Sequence, residues 1–197
     1  MLGQLPQELT VNGKVYAIRS DYRDILRIIL AYNDEDLTND EKVYVCLHQF
    51  YKDIFDIPHE DYPEAYKQAM AFISAGAEDD GKQKPKTINW EKDEQLMFAA
   101  VNQAARTEVR AIPYLHWWTF LGFFQSIDRD STWGAVLTIR QKRAKHKKLD
   151  KAEEEFYKAN LDICELSKER KNAKSAESEL AKIYQDLLKG GGSNGKQ

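Results

Sequence analysis

Tyr114-Leu-His-Trp-Trp-Thr-Phe-Leu-Gly-Phe-Phe124 is the stretch on which the fold turns. It holds two of the chain's four Trp residues and three of its eight Phe. Aromatic side chains bury large areas and dominate both cores and interfaces. The run therefore marks either the centre of the molecule or the place where a partner docks. It offers no obvious chemistry, which points away from an enzyme.

Read as one helix entered at Pro113, the run puts Tyr114, Trp117, Trp118, Leu121 and Phe124 or Gln125 at helical spacing, where they would fill a core. Leu115, Phe120 and Phe123 then point towards other sides. Apolar groups on most sides describe a central helix, or one whose second face is buried at an interface. Most of the run is assigned to the core. Trp117, Trp118, Phe120 and Phe123, with Tyr114, are the candidates for the boundary between core and partner surface. His116 can supply a hydrogen-bond partner to a Trp or Tyr.

Upstream, residues 7–18 read as a β-hairpin. Leu9 and Val11 alternate before Asn12-Gly13, and either Val15 and Ala17 or Tyr16 and Ile18 alternate after it. Asn-Gly between short alternating runs signals a type I′ turn, which needs positive φ at both positions. A lone hairpin is marginal in water, so this one must pack on helices. Asp21–Tyr32 gathers Ile25, Leu26, Ile28, Ile29 and Leu30 into a wide apolar surface. Thr38-Asn-Asp-Glu41 matches a capping box and opens a helix to about Phe50. Asp61-Tyr-Pro-Glu64 is a second such start, with Pro63 in the first turn, and runs to about Ser74. A mobile loop is expected at about 76–88, rich in Gly, Pro and charge. Asn89 caps the next helix, to about Ala105, and Thr132 opens another beyond the turn Asp128–Ser131.

From Ala135 to Lys189 there is neither Gly nor Pro. A seven-residue repeat runs through Ala152, Ala159, Leu166, Ala173, Leu180 and Leu187. The companion series Leu149, Phe156, Ile163, Arg170, Glu177 and Tyr184 is apolar in four of six positions. This is a coiled-coil-like seam. Residues 147–189 carry ten Lys/Arg and ten Asp/Glu, so the outer face is nearly neutral. One straight helix of that length would span roughly 65 Å; the alternative is a helical hairpin broken near Ser167. Leu166, Leu180, Tyr184 and Leu187 are the candidates for self-association or partner binding. The expected fold is mainly α: an N-terminal hairpin on a helical domain of residues 1–146, a long or hairpinned extension 147–189, and a Gly-rich flexible tail 190–197.

The totals exclude several classes. The chain has 197 residues, 42% apolar and 31% charged, which fits a modest core with solvated helices. A net charge of −3 argues against a bulk polyanion binder. Cys46 and Cys164 lie far apart and show no metal spacing, so reduced thiols are expected. The opening Met1–Glu8 has no basic start and no apolar h-region, so no signal peptide is expected. The longest strongly apolar stretch, Tyr114–Phe124, is far short of the roughly 20 residues that span a bilayer. No P-loop, GxGxxG, GxSxG, HExxH or CxxC occurs, and the four His are isolated in sequence. No cofactor, metal site or catalytic set is expected.

One basic run stands apart. Arg140-Gln-Lys-Arg-Ala-Lys-His-Lys-Lys148 supplies Arg140, Lys142, Arg143, Lys145, Lys147 and Lys148 as polyanion contacts. On a helix these charges spread round the cylinder, with no aromatic platform between them. A solvated helix end whose cations favour the C-terminal dipole outweighs a nucleic-acid site; docking to an acidic partner is a third reading.

These residues together resemble the bacteriophage Gp15 family, found in tailed phages and prophages of Gram-positive bacteria. The carriers are Met1-Leu-Gly-Gln-Leu-Pro6, Val11-Asn-Gly13, Asp21-Tyr-Arg-Asp-Ile25, Trp90-Glu-Lys-Asp-Glu-Gln-Leu96, Val109–Gly122, Ile139-Arg-Gln-Lys142 and Glu155-Phe-Tyr157, and the resemblance reaches about Leu166. It implies a tail protein encoded just upstream of the tape-measure gene. That position usually belongs to tail assembly chaperones of long, non-contractile siphovirus tails, which coat the tape-measure protein until the tube polymerises round it. The implied partners are the tape-measure protein and then the tail-tube protein. The implied place is the cytoplasm of the infected or lysogenic host, with absence from the mature virion. The alternatives are a structural tail component retained in the virion, and a nucleic-acid-binding regulator using residues 140–148.

Overall fold

The computed structural model describes residues 3–76 and 85–166. Strands β1 (Glu8–Val11) and β2 (Lys14–Ala17) pair antiparallel, with Leu9 opposite Tyr16 and Val11 opposite Lys14. Asn12 and Gly13 take φ of 45° and 86°, as the Asn-Gly turn requires. Of the two faces open to the second strand, the one carrying Tyr16 and Ile18 is buried, together with Val11. The hairpin is pinned at its tip: Asn12 Nδ2 donates to Asp61 Oδ1 at 2.6 Å. Arg19, just past the hairpin, donates to the carbonyls of His48, Gln49, Tyr51 and Lys52. A guanidinium thereby closes the C-terminal end of the second helix, where unpaired carbonyls and the dipole favour a cation.

Eight α-helices follow among the described residues. Helix α1 (Tyr22–Asn33) is capped by Asp21, which accepts from Arg23 N–H. Helix α2 (Asn39–Phe50) starts with the Thr38–Glu41 capping box, both halves formed. Helix α3 (Tyr62–Ile73) has Pro63 in its first turn, yet Asp61 makes no side-chain cap: its backbone is already helical, at φ −91° and ψ −6°, where a cap needs an extended residue, and its carboxylate accepts from Asn12. Helix α4 (Glu94–Ala105) starts later than the Asn89 cap implies. Asn89 Oδ1 instead accepts from Glu91 and Lys92 N–H and makes a turn that leads into the helix. Part of the loop expected at about 76–88, residues 77–84, lies outside the described residues.

Helix α5 spans Trp117–Gln125, not the whole aromatic run. Leu115 and His116 lie outside the helix, paired with the start of α1: Tyr22 N–H donates to Leu115 O and Trp117 N–H to Ser20 O. The expected face therefore shifts. Tyr114 is half-exposed, with its hydroxyl 2.8 Å from Ser20 Oγ. Phe120, expected to lie off the core face, is fully buried.

Helix α6 (Thr132–Ala144) is capped by Ser131. Gly134 sits so close to the preceding turn that a Cβ would meet Asp128 O at 2.4 Å, so only glycine fits. Of the expected extension 147–189, the described part, residues 147–166, is not one straight helix. His146 takes φ of 53° and stops α6. Asp150 opens α7 (Lys151–Ala159) with a capping box to Glu153, and Asn160 breaks the chain again before α8 (Leu161–Cys164). Helices α7 and α8 fold back against α6. Phe156, Tyr157 and Ile163 pack on the core, while Ala152 and Ala159 are exposed. The seam up to residue 163 is thus partly used on the molecule's own body. Seam positions Ala173, Leu180, Tyr184 and Leu187, and the tail 190–197, lie outside the described residues.

Candidate partner-binding site

The aromatic helix turns one face inward, at Trp117 and Phe120, and most of its other residues are half-buried. Tyr22 stacks on Phe120 with centroids 4.5 Å apart, Phe98 meets both rings, and Trp117 stacks on Phe120 at 5.8 Å. Trp117 Nε1–H donates to Ile73 O at 2.8 Å and Trp118 Nε1–H to Phe72 O at 2.9 Å. Two indoles therefore bind carbonyls at the end of α3: Trp117 serves Ile73 O, and Trp118 joins Ala75 N–H on Phe72 O. His116 is the N-cap: its Nδ1 accepts from Trp118 N–H, so Nε2 carries the proton donated to Pro6 O at 3.0 Å. This ties residues before the hairpin to the centre of the fold. Of the candidates, Trp117 and Phe120 are core. Trp118 and Phe123 are half-buried against it, and Tyr114 is exposed at 46%.

The basic run divides even more sharply. Arg140 is buried at 4% exposure and all five of its N–H donors are matched. It grips Asp93 with both Nη atoms, at 2.6 and 2.9 Å. Its remaining donors reach Thr87 O, Ile163 O and Cys164 O. One guanidinium thus joins the approach to α4, helix α6 and helix α8, and Arg140 is no polyanion contact. Lys142 pairs with Glu153 of α7. Arg143 reaches Glu165 at 3.1 Å and lies over the Tyr157 ring. Tyr157 also hydrogen-bonds Glu165, which raises its pKa above the ordinary phenol value. Lys145, Lys147 and Lys148 are exposed. Leu166 is half-buried at the end of α8.

The surface that composition did not announce lies between these two runs. The end of α5, the outer face of α6 and the start of α7 enclose a groove of about 840 Å³. Phe124, Ile127, Leu137 and Phe156 line it, all half-buried. Their sequence signal was weak, because each comes from a different element: Phe124 from α5, Ile127 from the turn after it, Leu137 from α6 and Phe156 from α7. A second exposed aromatic group is Tyr44, His48 and Phe55. Phe55 is 82% exposed, and the His48 ring lies 3.9 Å from Tyr44 and 5.7 Å from Phe55. Cys46 and Cys164 are both buried free thiols; burial pushes Cys46 up to about 12 and raises Cys164.

The family model for bacteriophage Gp15 protein matches residues 1–166. The chain belongs to the bacteriophage Gp15 family. Comparison with curated proteins and with solved structures finds no match. The part matched includes α7 and α8, so the helix that pairs with Lys142 and the one that locks onto Arg140 both lie within the family unit. Among the described residues of this Gp15-family chain, no helix is long and apolar enough to cross a membrane, and no group of three or more His, Cys, Asp or Glu is placed to hold a metal ion.

Proposed function

We propose that this Gp15-family chain is a non-enzymatic assembly factor of the phage tail, a chaperone that covers the tape-measure protein until the tail tube polymerises around it. The observation that carries the reading is an open groove with an apolar floor and a charged rim at α5–α7, within a chain of a phage family. A long helical tape-measure chain exposes apolar stripes, and large exposed apolar patches associate nonspecifically. A covering protein needs an apolar docking surface and a charged exterior. Release demands modest affinity per subunit, with avidity along the filament. Self-association through Leu166, Leu180, Tyr184 and Leu187 would line such subunits along their partner. The proposed place of action is the host cytoplasm, with no copy left in the finished virion. The buried Arg140 weakens the rival reading of a nucleic-acid regulator, since it removes the first cation of the basic run.

The test is co-expression of the full chain with the long helical protein encoded next downstream. Rescue of that protein into a soluble complex, with the chain absent from purified virions by mass spectrometry, is the expected result. A chain retained in virions would instead make it a structural tail component, and no complex at all would end the chaperone reading.

A further inference from the structure

We infer that the groove between α5, α6 and α7 receives an amphipathic helix of a partner chain whose apolar stripe is flanked by carboxylates. The inference deepens the chaperone reading and rests on it for the partner's origin. The floor is hydrocarbon: Phe124, Ile127, Leu137 and Phe156 converge, and Ala135 and Ala152 keep the space between them wide. Spaced apolar anchors of one helix face fit such a floor at positions i, i+3 or i+4, and i+7. The rim carries Arg129, Lys142, Lys145 and Lys147 against Asp130 and Glu153. Four cations against two carboxylates leave an excess of two positive charges, in a chain whose total is −3. Lys142 is already answered by Glu153. The excess therefore falls at the exposed end of α6, on Lys145 and Lys147. That charge attracts an acidic helix and repels a basic one.

The same charge argues against the chain's own C-terminal segment as occupant. Residues 167–189 carry six Lys/Arg and four Asp/Glu, the same sign as the rim. A second copy presenting that segment meets the same repulsion.

The test uses the full chain and a synthetic helical peptide of about 18 residues, roughly five turns, with Leu on one stripe and Glu on both flanks. A control peptide carries Lys for every Glu. The acidic peptide is expected to bind at least about tenfold tighter than the basic one, with the preference shrinking as salt is added. Lys145→Glu with Lys147→Glu, at exposed positions where folding is undisturbed, should cancel or invert the preference. Ala135→Trp, which fills the groove, should weaken the acidic peptide by about tenfold at any salt. Equal binding of the two peptides, or unchanged binding in both variants, overturns the inference. Tighter peptide binding by Leu180→Glu with Leu187→Glu also overturns it, because the groove would then belong to the chain's own C-terminal segment. Natural partner rescued equally by wild type and groove variants removes the groove and leaves the chaperone reading standing. No rescue by wild type removes the chaperone reading, and the peptide preference then decides the groove alone.

Discussion

Helices α5 and α6 are neighbours in the chain and use their side chains in opposite ways. Helix α5 is made of the residues that usually form hot spots, yet its Trp117 and Phe120 stack inward on Tyr22 and its indoles are tied to α3. Helix α6 ends in cations that usually stay in water, yet its Arg140 is among the most buried groups in the molecule. What remains outside on α6 is a mixed face, with Leu137 on the groove floor and Lys145 on its rim. The difference teaches that side-chain type ranks what a position could contribute. Where the chain turns decides what it does contribute. At α5 the turn is set by pairing with residues 20–22, and at α6 by the return of α7 and α8.

The hardest break of this comparison is Arg140→Ala. It leaves Asp93 charged and buried, and should cost about 3–5 kcal/mol in urea unfolding. A cost below about 1 kcal/mol would mean Arg140 is solvated and the contrast with α5 is wrong. Next, Phe120→Ala should cost about 3–5 kcal/mol. Phe123→Ala, at a half-buried position, should cost clearly less by the same measurement. Trp117→Phe and Trp133→Phe remove the same atoms from buried sites, but only Trp117 donates to a carbonyl; Trp133 Nε1 has no partner among the described residues. Trp117→Phe should therefore be the worse of the two by about 1 kcal/mol. Thiol labelling sharpens the role of α8. Burial holds both thiols above their ordinary pKa, so near pH 8 Cys46 and Cys164 should both react only as the fold opens. Fast reaction at Cys164 alone would detach α8 from Arg140. The smallest effect belongs to Lys145→Ala and Lys147→Ala, within about 0.5 kcal/mol of wild type in stability, as exposed positions should be.

Much of this architecture could be read from short-range chemistry. Asn12-Gly13 wrote its own turn, and Thr38 with Glu41 wrote its own helix start. Such signals lie within four residues of the structure they make. The start of α5 did not follow that rule. Pro113 can begin a helix, but Leu115 and Trp117 pair with Tyr22 and Ser20, nearly a hundred positions away, and no local pattern records that. The burial of Arg140 depends on Asp93, 47 positions upstream, and on carbonyls of α8. The start of α7 carries a local signal of its own. Asp150 and Glu153 form a capping box that marks a new helix inside a stretch without Gly or Pro. The apolar period at Phe156 and Ile163 was real, but part of its cause is packing on α6. Of Trp117, Trp118, Phe120 and Phe123, singled out for the boundary between core and partner surface, the structure buries Trp117 and Phe120 and leaves Trp118 and Phe123 half-buried against them. The groove was invisible because its floor is assembled from three helices and the turn after α5, each giving one of its four large side chains.

The measurement that bears most directly on the central claim is hydrogen exchange of the full chain, alone and in complex with the co-expressed tape-measure protein. The account predicts new protection along the outer face of α6 and at the start of α7. The backbone of Trp117–Phe124 should be slow already and little changed. Protection gained at α5 and absent from 135–156 would contradict it, because the aromatic helix would then be the docking surface and the groove an idle gap.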